Sequence, residues 1–451
     1  MSISEFNSSE TSKEIFKLIK ELFPICRSIT GNGVRETLSI IKQIIPELEI
    51  FEVESGTKAF DWVVPKEWNI NDAYIKNSKN EKIVDFKKLN LHVLNYSIPI
   101  NCKLSLTDLK EHIFTSQEHP EWVPYRTSYY EENWGFCMSY KQFESLEDDT
   151  YEVIIDSSLE NGSLTYGELF LSGDKRDEIL FTCYICHPSM CNDNLSGIGL
   201  LTFLANVMSK MKLKYSYRFL FIPETIGAIV WLSKNQNHLS NIKFGIVATC
   251  VGDKGCITYK KTKNKNSLID KIVERVLIGS NKPFKMIDFF PWGSDERQFS
   301  SPGINIPMGN LMRTMYTQFP EYHTSADNLE FVSPDSLGDS FKCYLDIIEQ
   351  IENQESIENI DHEITTSVEK DEIYVNLNPN CEPQLGKRGL YNMVGGWQKP
   401  SISKNAIFWI LNFSDGGNSL KKISERSGIA YDEIKKTAEL LIKSNLLKKI
   451  E

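Results

Sequence analysis

From residue 11 to 45, apolar positions recur at three- and four-residue intervals. Ile15, Leu18, Ile19 and Leu22 form one stripe, and Leu38, Ile41 and Ile44 form another. That spacing predicts two amphipathic helices, with Gly31-Asn32-Gly33 as the turn between them. Residues 48–53 alternate apolar with acidic and predict a strand. Further on, residues 169–171, 179–185, 219–222 and 246–251 are apolar without alternation, as strands covered on both faces require. Helical spacing returns at 198–208, 268–277 and 337–351. Strands alternating with helices predict an α/β fold, a mixed and largely parallel sheet with helices on both faces.

Two regions break this rhythm. Between Lys66 and Asp148 there are thirteen aromatic residues, eight of them between His119 and Phe143. Short β-like runs at 91–94 and 151–155 flank turns there, which predicts a separate α+β unit. Its rings could fill a small core or form a lid that stacks on a sugar or peptide. Residues 352–375 are acidic and polar and read as a linker. Beyond Ser401, helical stretches at 407–411, 420–427 and 431–444 surround a break at Gly428, with a terminal strand at 446–450. That spacing suits a helix-turn-helix.

Composition narrows the class. The 451 residues are 41% hydrophobic and 25% charged, with a formal net charge of −11, so a broad phosphate-binding field is absent. Residues 401–451 run the other way, with nine Lys/Arg against six Asp/Glu. Phosphate contacts would fall to Lys421, Lys422, Arg426, Lys435 and Lys436, but Asp432 and Glu433 stand at the start of the recognition helix and would repel a phosphate backbone. DNA binding is therefore not expected, and Ile407, Phe408, Ile410 and Leu411 should be buried against the body or a partner. No apolar run reaches the ~18–20 residues of a membrane span. The polar start, MSISEFNSSETSKE, and ten cysteines predict a cytoplasmic chain with reduced thiols.

The densest polar cluster follows the strand expected at 179–185, from Cys183 through His187 and Asn192-Asp193-Asn194 to Gly197. Ligands of open α/β sheets bind at the carboxyl ends of strands, and His with Asp on such a loop suits a divalent metal. Glu224 follows the next strand, and Tyr322-His323-Thr324-Ser325-Ala326-Asp327 supplies a second ligand-capable imidazole. Cys183-x-x-Cys186-His187 also has the form of a haem-attachment or dithiol motif. Pro188 and the Asn-Asp-Asn run favour a loop over the helix that a dithiol pair would open.

Taken in order, His187…Asp193, Pro223-Glu224-Thr225, Gly293-Ser294-Asp295 and Tyr322–Asp327 resemble the motifs of the co-catalytic zinc aminopeptidases. The whole chain resembles a bacterial aminopeptidase-like family with an inserted domain and a C-terminal winged helix. Further marks are Cys26-Arg27-Ser28-Ile29-Thr30-Gly31-Asn32-Gly33-Val34-Arg35 and Cys381-Glu382-Pro383-Gln384-Leu385-Gly386-Lys387-Arg388-Gly389. The resemblance implies a discontinuous zinc-aminopeptidase-like domain at 1–64 and 150–360. It also implies an inserted α+β domain at 65–149 and a winged helix-turn-helix at 376–451.

It further implies His187, Asp193 and His323 as ligands of zinc and Glu224 as general base, with Asp295, Glu296 and Arg297 contacting substrate. Thr225 stands where those enzymes carry a second Glu ligand, Thr249 or Cys250 where they carry a further Asp, and Ser189 where an Asp orients the first His. One zinc ion rather than two is the expectation. The implied activity is metal-dependent hydrolysis of a small-molecule, peptide or sugar-derived substrate, with a link to cell-surface polysaccharide biosynthesis. The alternative is a degenerate peptidase fold that binds a ligand or regulates. A homo-oligomer is open.

Overall fold

The computed structural model describes residues 8–358, 372–390, 395–396 and 402–450. Its centre is an eight-stranded mixed sheet. The strand order is Glu49–Glu54, Ser163–Leu171, Ser216–Ile222, Glu178–Tyr184, Ile242–Ala248, Met308–Met312, Ile257–Lys260, Phe284–Ile287. The four inner strands from Ser216–Ile222 to Met308–Met312 are mutually parallel, and antiparallel pairs flank them. Apolar runs without alternation do become strands here, but their side chains still alternate in destination. Ile179, Phe181 and Cys183 enter the core beneath the helices Ser8–Leu22, Asn32–Ile44, Ser196–Met208, Leu268–Gly279 and Pro334–Glu352. Leu180 and Tyr184 face the opposite core, under Ile226–Lys234. Full burial of a large aliphatic or aromatic side chain contributes ~1.5–3 kcal/mol, so a sheet apolar on both faces holds both layers.

Local chemistry sets the helix ends. Gly31, at φ +94°, starts Asn32–Ile44, and a Cβ there would sit 2.1 Å from the Trp68 carbonyl. Only glycine allows that approach. Ser333 caps Pro334–Glu352 by accepting from Ser336 N, so the helix begins three residues before its periodic stripe.

The aromatic-rich region contributes a four-stranded sheet in the order Lys82–Asp85, Glu67–Lys76, Thr150–Glu160, Ile100–Ser105. Thr150–Glu160 thus belongs to this sheet, although it lies past residue 149. Residues 91–94 are not a strand: Asn90–His92 form a 3-10 turn and Val93 makes a single bridge to Phe136. Most of the acidic stretch at 352–375 lies outside the described residues.

The C-terminal unit packs the helices Ile402–Phe413, Leu420–Ser427 and Tyr431–Lys443 on three strands, in the order Asp415–Ser419, Ile373–Asn376, Leu447–Lys449. Ile407, Phe408, Ile410 and Leu411 are all buried, in a core that extends into the body through Phe289. Arg426 faces the body, donating to the Lys263 carbonyl with its guanidinium 4.4 Å from the Phe413 ring centre. Lys435 and Lys449 pair with Glu372. No helix among the described residues is long and apolar enough to cross a membrane.

Candidate metal centre

Three loops at the carboxyl ends of parallel strands converge. His187 follows Glu178–Tyr184, Glu224 follows Ser216–Ile222, and His323 lies beyond Met308–Met312. Asp193 lies on the turn that opens helix Ser196–Met208. His323 Nε2 is 3.0 Å from Asp193 Oδ2, and His187 Nε2 is 4.0 Å from the same oxygen. Ligand atoms of the three residues all lie within 4.8 Å of one another. Glu224 Oε2 is 3.9 Å from His187 Nε2.

Asp193 Oδ2 and His323 Nε2 are buried without a hydrogen-bond partner among the described residues; they are close to each other, but without the direction of a hydrogen bond. Orphaned polar atoms in a buried site call for an explanation such as an ion. One carboxylate oxygen and two imidazole nitrogens suit zinc, with a fourth position left over. The burial that pushes the His187 pKa down to about 4 keeps its ring neutral and able to ligate.

The other oxygen of Asp193 is closed. Oδ1 accepts from the Tyr184 hydroxyl, so Thr249 Oγ1 must donate to the same Tyr oxygen. Thr225 is also committed, its N–H to Asp295 Oδ1 at 2.7 Å and its hydroxyl to Arg297 at 3.2 Å. Thr225 and Thr249, the positions that the resemblance sets against carboxylate ligands, both carry hydrogen-bonded hydroxyls. Ser189 turns away from the His187 ring, donating to the Phe23 carbonyl and accepting from Asn90.

Glu224 is partly buried, its side chain 23% exposed, and burial raises its carboxyl pKa above the usual range, with the Asp295 and Asp193 charges adding to the effect. Burial pushes Asp295 up to about 7. Asp295 and Arg297 reach the Glu224 loop through Thr225. Glu296 does not: its carboxylate is fully buried between Lys260 and Asn310, in the core below the pocket. Lys260 also donates to Tyr316 and to the Trp292 carbonyl.

Several residues that the motifs or the aromatic region contain, but to which the motifs assign no role, support the site. Asp327 accepts from the N–H of Asn192 at 2.6 Å and of Asp193 at 2.9 Å, tying the Asp193 turn to the His323 loop. Burial pushes its carboxyl up to about 8. Arg27, from the Cys26–Arg35 mark, is fully buried and donates to the His187 carbonyl at 3.0 Å. Tyr125, from the aromatic region, has its ring 5.3 Å from that of His187 and 5.2 Å from that of His323. Its hydroxyl meets that of Tyr129 at 3.1 Å. The crowding of aromatics before residue 143 was the only signal for these two.

Comparison with known proteins agrees with this architecture. Residues 16–354 match the family "Domain of unknown function (DUF4910)", and residues 372–449 match a winged helix-turn-helix family. A Clostridium acetobutylicum protein is 57% identical over 442 residues, 98% of each chain. It is provisionally named a polysaccharide biosynthesis protein with an aminopeptidase-like domain. A crystal structure from the same organism, provisionally described as a peptidase, has a TM-score of 0.76 at 56% identity, covering 98% of each chain.

The zinc aminopeptidase of Bacillus subtilis has a TM-score of 0.57 at 11% identity, covering 76% of this chain and 95% of its own. At that identity the likeness is one of fold, and the fold is zinc-aminopeptidase-like. The chain belongs to the aminopeptidase-like DUF4910 family, here joined to a C-terminal winged helix-turn-helix domain.

Proposed function

We propose that this protein is a zinc-dependent hydrolase of the aminopeptidase type, holding one ion on His187, Asp193 and His323. The observation that carries this reading is the pair of orphaned atoms, Asp193 Oδ2 and His323 Nε2, facing each other in a buried site beside Glu224. Zinc, when bound, supplies a Lewis acid that polarises a carbonyl and acidifies water. Glu224 is the general base, holding the proton taken from the attacking water and returning it to the leaving amine. Its raised pKa makes it a stronger base than a free carboxylate, and a cation close by would draw that pKa back down. Asp295 and Arg297 fix the Glu224 loop through Thr225 and form the charged wall that a substrate amine or carboxylate would meet.

The C. acetobutylicum relative is named for polysaccharide biosynthesis, and on that name we take an amide or amine of a modified carbohydrate, rather than a peptide, as the substrate. The second reading, a ligand-binding relative without turnover, is favoured by one observation: Thr225 and Thr249, set by the resemblance against carboxylate ligands, are hydroxyls committed to Arg297 and to Tyr184. Metal analysis and one variant separate the two. Purified protein should carry about one zinc per chain. Glu224→Gln should keep it and lose about a hundredfold or more in turnover of acylated amino-sugar and aminoacyl substrates. Absence of zinc from protein purified and reconstituted without chelator would refute the hydrolase.

A further inference from the structure

We propose that the C-terminal segment is a working part of the metal centre, and that the backbone carbonyl of Gly396 fixes the tautomer and orientation of His323. The metal half of this inference rests on the function proposed above. His323 Nδ1 lies 3.1 Å from the Gly396 oxygen. A carbonyl can only accept, so this contact is a hydrogen bond when the ring proton sits on Nδ1; the competing acceptor, Asp193 Oδ2 at 3.0 Å from Nε2, lacks the direction of one, and in that tautomer the Nε2 lone pair is turned towards Asp193. A ligating His whose second nitrogen donates to a carbonyl or carboxylate is held in this way, and losing that partner typically costs about 10–100-fold in metal affinity. Among the described residues His187 has no carbonyl or carboxylate acceptor on Nδ1, which meets only the Cys186 sulfur at 3.4 Å. His323 is therefore the ligand whose ring is oriented through its second nitrogen by another part of the chain.

The contact is built from three remote stretches. Tyr125 N donates to the His323 carbonyl at 2.8 Å, joining the aromatic region to the His323 loop. Gly395 N in turn donates to the Thr127 carbonyl at 2.8 Å, laying the C-terminal segment beside the aromatic one. Arg126 Nη1 shares the Gly396 oxygen at 3.0 Å. Gly396 is at φ +80°, and a Cβ there would lie 2.5 Å from the Tyr125 carbonyl, so only glycine brings the backbone this close.

The same C-terminal stretch is moored to the body on the other side of the pocket. Cys381 N donates to Ser301 Oγ at 2.8 Å, Arg297 meets Glu382 at 3.2 Å, and Arg388 pairs with Asp61 at 2.6 Å. This gives the 381–389 mark a purpose: it anchors the winged-helix unit at a distance from which residues 395–396 can reach His323.

The test uses the full chain, stripped of metal with chelator, and two variants. Gly396→Val pushes the carbonyl off the ring, and Arg126→Met removes its second donor without touching the backbone. Long-range imidazole 15N spectra of the wild type should show His323 in the Nδ1–H form. Gly396→Val should mix or reverse that tautomer and weaken zinc about 10–100-fold in competition with a chromophoric chelator. Arg126→Met should move both readouts in the same direction, weakening zinc by about threefold or more, and it carries the test if Gly396→Val does not fold. An Nε2–H tautomer in the wild type, or variants that leave both readouts unchanged, would overturn the proposal. Wild-type protein that takes up no zinc but shows the Nδ1–H form, lost in the variants, would sustain the clamp and remove the hydrolase.

Discussion

Two buried polar clusters lie close together under the same loops, and they are finished differently. Around Lys260 the charges are paired: its three protons go to Glu296, Tyr316 and the Trp292 carbonyl, and the second Glu296 oxygen takes Asn310, whose own Oδ1 is left without a partner among the described residues. Both charged side chains are fully buried. Around Asp193 the pairing stops halfway, with Oδ1 satisfied by Tyr184 and Oδ2 left facing His323 and His187. Burial is the same in the two clusters, so burial does not mark the site. The kind of atom left unpaired does: a carboxylate oxygen and an imidazole nitrogen, both able to ligate, lie beside a second imidazole, whereas the unpaired atom beside Lys260 is the Asn310 amide oxygen.

That contrast predicts opposite consequences for opposite mutations. Lys260→Met strands Glu296 and should cost about 3–5 kcal/mol of unfolding free energy in urea, while folded molecules keep their zinc. Asp193→Asn removes a charge favoured in the apo protein by the neighbouring His187 and His323 rings and the Tyr184 hydroxyl, and the amide oxygen that replaces it can still accept from Tyr184. It should abolish zinc uptake and shift apo stability by less than about 1 kcal/mol. If Asp193→Asn proves the more destabilising of the two in the apo protein, the Asp193 cluster is a structural network and the contrast collapses.

A finer cut runs through Asp193 itself. Tyr184→Phe leaves Oδ1 and the Thr249 hydroxyl without their partner and should cost about 1–3 kcal/mol. Zinc stoichiometry should stay at one, since Thr225 and Thr249 offer no carboxylate for another ion. Two zinc ions bound to Tyr184→Phe would show that the hydroxyl alone excludes the second.

How much of this was legible beforehand depends on what carries the information. The inner strands were readable because a doubly covered strand must be apolar throughout, and Glu178–Tyr184 is buried along its whole length. His187, Asp193, Glu224 and His323 could be singled out because polar side chains at strand ends are conspicuous and their order matched a known set. Tyr184 could not, since a tyrosine in an apolar strand looks like core until its hydroxyl is placed. Glu296 was misassigned to the pocket because its partner, Lys260, is 36 positions away on a different strand. Gly396 was beyond reach for a different reason: it acts through a carbonyl, which every residue has.

The smallest expected effect concerns acid. Burial lowers the His187 pKa in the folded protein to about 4, from a model-compound value of 6.5. Between those limits the unfolded chain holds a proton on this ring and the folded chain does not. Stability therefore rises with pH through that window and falls as the solution is acidified from 6.5 towards 4, with a slope approaching about 1.4 kcal/mol per pH unit from this group. Lys260 contributes nothing in that range, because it is lowered only to about 8 and keeps its proton in both states. Urea unfolding of metal-free protein at several pH values, for the wild type and for His187→Asn, isolates the effect. The difference between the two curves should close in the wild type's disfavour as the pH drops, and saturating zinc should restore the wild type at the upper end of the window. Parallel curves from pH 6.5 to 4 would mean that the ring is hydrated and protonates freely, and the incomplete cluster would then be open to water rather than shaped around an ion.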